Sequence, residues 1–350
     1  MLHQDEIARY GRQIILPELG LEGQERLKAA RVLVVGAGGL GCPVLQYLTA
    51  AGIGTIGIAD GDVVDVSNLQ RQVLYTMADV GKSKALVAAQ QLSAANPFVL
   101  FQVHQVFIDH TNALELCRNY DIVVDGSDNF DTRYLINDAC VLLGKTMVSG
   151  AIYKFEGQVS VFNYKGGPTY RCLFPEPPGA GESPNCAEIG VVATLPGIIG
   201  TIQANEVIKV VTGIGAVLSG KLLVVDTLTM HTMTFNFGLN EANRHITALP
   251  VPAQVQCAVP PAQVSRAELD ALLAAGAVQL VDVREEEEHA TFNIGGVNMP
   301  LWRLEQDSVL LDPEKQVVVY CATGGRSRNA VAMLRQLGFG KVSDLKGGIM

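Results

Sequence analysis

Arg31-Val-Leu-Val-Val35 runs directly into Gly36-Ala-Gly-Gly-Leu-Gly41. The first five residues are a short apolar run, the pattern of a parallel strand buried on both faces. The next six fit G-x-G-x-x-G, and residues 42–52 continue as a helix. A glycine turn between strand and helix lets the backbone approach a phosphate, with free N–H groups at the helix N-terminus. Gly36, Gly38, Gly39 and Gly41 are therefore candidate nucleotide contacts. Asp60 stands at the end of the next apolar run, Thr55-Ile-Gly-Ile-Ala59. An acid there can accept hydrogen bonds from ribose hydroxyls.

Outward from this core, the first 30 residues are polar and predict a helical arm. Ile122-Val-Val-Asp125, Met147-Val-Ser149 and Val159-Ser-Val-Phe162 read as further strands. Such alternation with helical segments predicts a doubly wound, Rossmann-like α/β domain. Residues 165–190 form a Gly- and Pro-rich loop containing Cys172 and Cys186. A helix over 198–212 and strands at 222–226 and 230–237 follow. Pro250, Pro252, Pro260 and Pro261 punctuate a stretch without periodicity, read as a linker over 251–262. It divides a first domain, 1–250, from a smaller α/β unit, 263–350, with strands at 278–283 and 317–320.

The chain has 350 residues, 48% hydrophobic and 17% charged, enough for well-buried cores in two domains. A net charge of −9 argues against nucleic acid as a partner. No apolar run reaches the roughly 20 residues of a membrane-spanning helix. Met1–Glu6 lacks the basic start of a signal peptide, so a cytoplasmic location is expected. The seven cysteines form no C-x-x-C pair. In a reducing compartment most serve as buried apolar fillers.

The glycine turn alone makes an NAD-dependent oxidoreductase the default. The following residues change that reading. Asp60-Gly-Asp62 leads to Ser67-Asn-Leu-Gln-Arg-Gln72, then Gly81-Lys-Ser-Lys84, and later Asp125-Gly-Ser-Asp-Asn129. Arg71, Lys84 and an acidic turn suit a triphosphate with its metal: cations for phosphate oxygens, a carboxylate for Mg²⁺. Gly81-Lys-Ser is no Walker A loop, since position 76 is Thr.

With Arg9-Tyr-Gly-Arg-Gln-Ile-Ile-Leu16 added, these segments resemble the E1-like activating enzymes of molybdopterin and thiamine biosynthesis, the MoeB/ThiF family, over about residues 5–240. The resemblance implies that Gly39 and its neighbours contact ATP and that Asp60 holds the ribose. It implies that Asn68, Arg71 and Lys84 bind the phosphates, with Asp62, Ser67, Leu69 and Gln70 in the same set. Asp128 would organise Mg²⁺ beside Asn129. Arg12 resembles an arginine finger reaching into a partner subunit, which implies a homodimer. The implied reaction adenylates the C-terminal carboxylate of a small ubiquitin-like sulfur-carrier protein ending in Gly-Gly. Relatives often hold zinc with two C-x-x-C pairs. Here Thr169 stands where the first cysteine before Cys172 is expected, and residues 222–250 contain none, so no structural zinc is expected. Cys186 matches the position of the E1 catalytic cysteine, with a loop thiol of no essential role as the alternative.

The second unit contains Val281-Asp-Val-Arg-Glu285 and Tyr320-Cys-Ala-Thr-Gly-Gly-Arg-Ser327. A cysteine after a strand, at a glycine loop leading into a helix, sits among backbone N–H groups that stabilise an anionic sulfur. Arg326 adds positive charge. Over about 263–350 this resembles a rhodanese-like domain taking sulfur from a persulfide donor on Cys321, with Asp282 and Arg284 as its structural D-V-R motif. Gly347-Gly-Ile-Met350 falls where such domains continue into a last helix. Cys-x5-Arg also suits a phosphatase; the D-V-R motif and the fusion favour sulfur transfer. An adenylating enzyme with an inactive or regulatory second unit is the alternative function.

Overall fold

The computed structural model describes residues 1–177, 190–249, 262–322 and 324–349. Cys186, Cys257 and the proline stretch at 250–261 lie outside the described residues. The residues up to 249 form one compact unit and those from 262 onward a second.

The first unit opens with α1 (Gln4–Ile14) and α2 (Gly20–Ala29). Then come β1 (Arg31–Val35), α3 (Gly41–Ala51), β2 (Thr55–Ala59), α4 (Lys84–Ala95), β3 (Leu100–His104), α5 (Ala113–Arg118), β4 (Ile122–Asp125) and α6 (Phe130–Leu143). β5 (Thr146–Tyr153), β6 (Glu156–Phe162), α7 (Tyr170–Leu173), α8 (Thr194–Thr212), β7 (Lys221–Asp226) and β8 (His231–Asn236) complete it. One eight-stranded sheet runs in the order β3-β2-β1-β4-β5-β6-β7-β8. β1 to β5 pair in parallel; β6, β7 and β8 add on as antiparallel strands.

Side chains of successive strand residues point to opposite faces, and both faces are covered here. Val32, Val34, Ile56, Ile58 and Val124 pack against Val44, Leu45 and Leu48 of α3 and against Val207 of α8. Leu33, Val35, Val123 and Met147 share a core with Leu116, Tyr134 and Ile136 on α5 and α6. β1, β2 and β4 therefore read as unbroken apolar runs. β3 does not: it is an edge strand of partly buried residues, including Gln102 and His104, and carries no such signal.

The second unit holds β9 (Ala262–Val264), α9 (Arg266–Ala274), β10 (Val278–Asp282), α10 (Glu286–Thr291), β11 (Val297–Asn298), α11 (Leu304–Asp307), β12 (Gln316–Tyr320), α12 (Gly325–Gln336) and β13 (Val342–Leu345). Its sheet is parallel throughout, in the order β11-β10-β12-β13-β9. Val281, Val317 and Val319 meet Val331 and Leu334 of α12 in its core. α9 starts at a capping box, with the Ser265 amide donating to Glu268 at 2.8 Å.

Candidate functional site

The order of the first sheet reverses at β1, whose neighbours are β2 on one side and β4 on the other. Ligands of open α/β sheets bind outside the carboxyl ends of the strands at such a crossover. The Gly36–Gly41 turn leaves β1 there, and the Gly126–Asn129 turn leaves β4 there. The two turns touch: a Cβ on Gly36 would stand 2.8 Å from the Gly126 carbonyl oxygen, and Gly36 has φ +88°. A Cβ on Gly41 would lie 1.9 Å from the Gly36 oxygen. At Gly39 a Cβ would meet Pro196 of α8 at 3.2 Å and the Arg71 Cδ at 3.7 Å. The Gly38 carbonyl accepts from the Cys42 amide and so starts α3. Burial pushes the Cys42 thiol up to about 12.

Asp60 is buried, and its carboxylate braces the turn. It accepts from the amides of Ala37 and Asp62, both at 2.7 Å. Burial raises its pKa, against the pull of those amides and of Lys84. Lys84 is itself buried and reaches Asp62 at 3.1 Å. Ser67, Asn68, Leu69 and Gln70 follow on a short turn capped by Asp65, which accepts from the Ser67 amide. Arg71 donates to the Ser67 carbonyl at 3.2 Å. Gln72, named only within that run, proves to be buried, and its Oε1 has no partner. Its Nε2 lies 3.5 Å from the place a Cβ would take on Gly38. An orphaned acceptor beside a glycine cradle fits a site meant to receive a hydrogen-bonding ligand.

Asp128 is exposed; Asn129 Nδ2 donates to it at 3.5 Å, while the Asn129 Oδ1 caps α6 through the Thr132 amide. The turn that presents Asp128 is anchored from below. Asp125, fully buried, bonds Arg133 at 3.0 Å, Ser149 at 2.8 Å and the Ser127 hydroxyl at 2.5 Å. The α8 residue Gln203 donates to the Asp125 carbonyl at 2.7 Å. Sequence reasoning missed this anchor, because Arg133 stands inside a helix with no motif around it. An exposed carboxylate on a fixed turn fits a Mg²⁺ ligand that keeps water and phosphate as its other ligands. Arg12 is an exposed residue of α1. Arg9 donates to the Ala95 carbonyl, while Tyr10 is buried and bonded to Asn96.

Thr169 and Cys172 lie against Asn240 and Asn243. The Cys172 Sγ accepts from the Thr169 amide at 3.4 Å, the Asn240 amide at 3.3 Å and the Asn243 Nδ2 at 3.8 Å. Burial opposes the anion, yet the Thr169 hydroxyl and these donors outweigh it and hold the thiol below its ordinary pKa. Among the described residues no three His, Cys, Asp or Glu gather to hold a metal ion.

In the second unit Cys321 follows β12 directly and is 1% exposed. Its Sγ accepts from the amides of Gly324 at 3.2 Å and Ser327 at 3.4 Å. Gly324, at φ +89°, turns the chain into α12. Arg326 grips Glu288 of α10 through both terminal nitrogens, at 2.6 and 2.7 Å, so its charge is shared with that carboxylate. Asp282 and Arg284 form a buried pair at 2.6 Å; His289 bonds Asp282, and Arg284 donates to the Phe292 carbonyl. Ser327 also reaches Asp344 of β13, a partner the loop motif alone does not show.

A glycine turn at a sheet crossover in one unit, and a thiol held by backbone amides in the other, suit an enzyme that handles both a nucleotide and sulfur. The comparisons with known proteins make this specific. Residues 10–246 match the ThiF family, and residues 265–350 match the rhodanese-like domain. The chain belongs to the ThiF family and carries a C-terminal rhodanese-like domain. The probable adenylyltransferase/sulfurtransferase MoeZ of Mycobacterium tuberculosis is 44% identical over 366 residues, spanning 100% of this chain and 93% of that protein. The sulfur carrier protein adenylyltransferase of Thermus thermophilus is 58% identical over 230 residues, or 64% of this chain and 85% of that one. Pig adenylyltransferase and sulfurtransferase MOCS3 is 52% identical over 227 residues, 65% of this chain and 50% of that one. Among solved structures, PaaA has a TM-score of 0.59 at 25% identity, covering 68% of this chain and 76% of that one. Escherichia coli MccB has a TM-score of 0.60 at 24% identity, covering 67% and 72%, and shares the fold. The chain is an enzyme of the adenylyltransferase and sulfurtransferase class. No helix among the described residues is long and apolar enough to cross a membrane.

Proposed function

We propose that this enzyme uses ATP to adenylate the C-terminal Gly-Gly carboxylate of a small ubiquitin-like sulfur-carrier protein, and then passes sulfur from a Cys321 persulfide to give a thiocarboxylate: the persulfide displaces AMP to form an acyl disulfide, and a second thiol cleaves its S–S bond, ending as a disulfide with Cys321. The pathway proposed is of the molybdopterin or thiamine type, with a homodimer in the cytoplasm as the working form. The observation that carries the first step is the contact of the Gly36 and Gly126 turns at the β1–β4 crossover. It brings the Gly36–Gly41 turn, read here as the phosphate cradle, against the turn that presents Asp128.

In this reading the amides of the Gly36–Gly41 turn and of the α3 N-terminus receive phosphate oxygens. Asp60, fixed by Ala37 and Asp62, receives ribose hydroxyls. Lys84, beside Asp62, and Arg71, beside Gly39, are proposed to hold the triphosphate, and Gln72 offers its unpaired oxygen to a ligand donor. Asp128, with Asn129 beside it, would hold Mg²⁺, which when bound neutralises charge on the phosphates. The carrier carboxylate attacks the α-phosphorus and pyrophosphate leaves, so no protein nucleophile is needed. Positioning and charge stabilisation supply the catalysis. Arg12 is proposed to act in the partner subunit's site, and Cys186 as a second acceptor for sulfur or for the carrier. No zinc is proposed.

The burial of Cys321 favours one second reading, in which the chain adenylates its carrier and the rhodanese-like unit is regulatory. ATP–pyrophosphate exchange that depends on a carrier ending in Gly-Gly tests the first step. Thiocarboxylate on that carrier, detected by mass spectrometry with a persulfide donor, tests the second. Exchange without thiocarboxylate leaves only the second reading; no exchange overturns both.

A further inference from the structure

Cys321 is almost fully buried, and so are the two polar groups behind it. Ser327 is 0% and Asp344 1% exposed. The Ser327 hydroxyl donates to Asp344 Oδ1 at 2.5 Å, and its oxygen lies 3.5 Å from the Cys321 Sγ. A hydroxyl has one proton. With that proton directed at Asp344, the Ser327 lone pairs face the thiol and can accept its hydrogen. Asp344 is held from the other side by Gln263 Nε2 at 3.3 Å. Three atoms thus stand in a row: sulfur at the end of β12, hydroxyl on α12, carboxylate on β13. Among the described residues the sulfur also meets the amides of Gly324 and Ser327, which donate and cannot take a proton. Around this row, Arg326 of α12 bonds Glu288, and Arg284 and His289 bond Asp282.

We propose that Ser327 and Asp344 are a proton relay for Cys321: as the sulfur attacks, its proton passes to Ser327 while the Ser327 proton passes to Asp344. The proposal rests on the reading of Cys321 as the sulfur acceptor and names the base for that step. With thiosulfate as donor the step balances. A bond forms between the Cys321 Sγ and the sulfane sulfur, the bond from that sulfur to the sulfonate breaks, and its electron pair leaves on sulfite. Cys321 becomes a persulfide anion facing the Gly324 and Ser327 amides, and Asp344 becomes neutral. The negative charge lost by Asp344 is the charge gained by the sulfur, and no oxidant is consumed. Ser327 and Asp344 act through Cys321 and are positioning residues in this sense.

The test follows persulfide formation on the Cys321 peptide of the full chain by quenched mass spectrometry, with thiosulfate, across a range of pH. General-base assistance contributes about 10²-fold or more. Ser327→Ala and Asp344→Asn are expected to slow loading about 10²-fold at pH 7. The deficit closes at alkaline pH, where hydroxide takes the thiol proton and no internal base is needed. Ser327→Thr keeps the hydroxyl and is expected to stay within a few-fold of wild type. A deficit of equal size at every pH overturns the relay, because a merely structural role has no pH signature. Wild-type rates in Ser327→Ala overturn it as well. Where Asp344→Asn fails to fold, the Ser327 pair decides. A wild-type chain whose Cys321 takes up no sulfur sinks the sulfur-transfer reading and the relay with it. A wild type that loads, beside a Ser327→Ala variant with an unshifted profile, sinks the relay alone.

Discussion

Gly36 is pressed against Gly126: a Cβ on the first would stand 2.8 Å from the carbonyl oxygen of the second. The turn after β1 and the turn after β4 thereby form one surface. Gly36→Ala is expected to fail twice, by that collision and by its φ of +88°, at about 1–3 kcal/mol for the backbone strain alone. Gly144 gives the control. It also has positive φ, +64°, but nothing within 4 Å of an added Cβ. Gly144→Ala should cost about 1 kcal/mol and leave ATP–pyrophosphate exchange intact. Gly36→Ala should lose exchange as well as stability. Thermal unfolding and exchange, measured on both, check this; equal exchange in the two would show that the turns do not form the nucleotide site.

Asp128→Ala should abolish adenylation and leave the fold unchanged. The residue is exposed, and its carbon skeleton supports nothing in the core. Losing a group that stabilises transition-state charge costs about 3–4 kcal/mol, or at least 10²-fold in rate. Exchange near the wild-type rate would remove Asp128 from the metal site.

Arg12→Ala should be rescued by subunit mixing. Arg12 is exposed on α1 and is proposed to complete a neighbour's site. Mixed with Asp128→Ala, it leaves one working site per heterodimer, with Arg12 from one chain and Asp128 from the other. Neither variant alone should turn over. Mixing that restores nothing would mean that Arg12 acts in its own chain or not at all.

The sequence told most where burial is two-sided. β1, β2 and β4 are unbroken apolar runs whose boundaries could be read directly, because both faces pack against helices. β3, half exposed at the sheet edge, left no such trace. The same contrast holds for the sites. Gly36 to Gly41 carry a pattern because a short backbone turn must meet several constraints in consecutive residues. Asp125 with Arg133, and Ser327 with Asp344, meet through tertiary contacts. Each is an ordinary residue in its own segment, and only the fold makes it a partner. Arg326 marks the limit from the other side: its type and spacing were legible, but its bidentate bond to Glu288 was not.

Cys321→Ala should separate the two activities. The proposed nucleotide site is built from residues of the first unit, so pyrophosphate exchange should survive. Sulfur transfer should fail, because a thiolate must hold the sulfane sulfur. Cys186 is proposed as a competing acceptor, so Cys186→Ala and the double variant belong in the comparison. The readout is carrier thiocarboxylate by mass spectrometry. Thiocarboxylate formed by Cys321→Ala at the wild-type rate would show that the second unit is not a working sulfurtransferase.

The buried Asp282 contributes to how the second unit responds to acid. Burial raises its pKa, but the hydrogen bonds from Arg284 and His289 more than offset this and hold it below the usual 3.8. The unfolded chain therefore binds a proton on Asp282 at a higher pH than the folded chain does. Stability from this group is fully present above about pH 3.8 and is lost as the pH falls through the lower folded value. Asp282→Asn removes that dependence and leaves Arg284, itself buried, facing a neutral partner. Breaking one side of a buried ion pair costs about 3–5 kcal/mol, so the variant should be far less stable at pH 7 and show a flatter acid limb. The chain has a single tryptophan, Trp302, and it lies in the second unit. Urea unfolding followed by its fluorescence reports on this unit. An Asp282→Asn curve that falls as steeply with acid as the wild type would place the acid-sensitive group elsewhere.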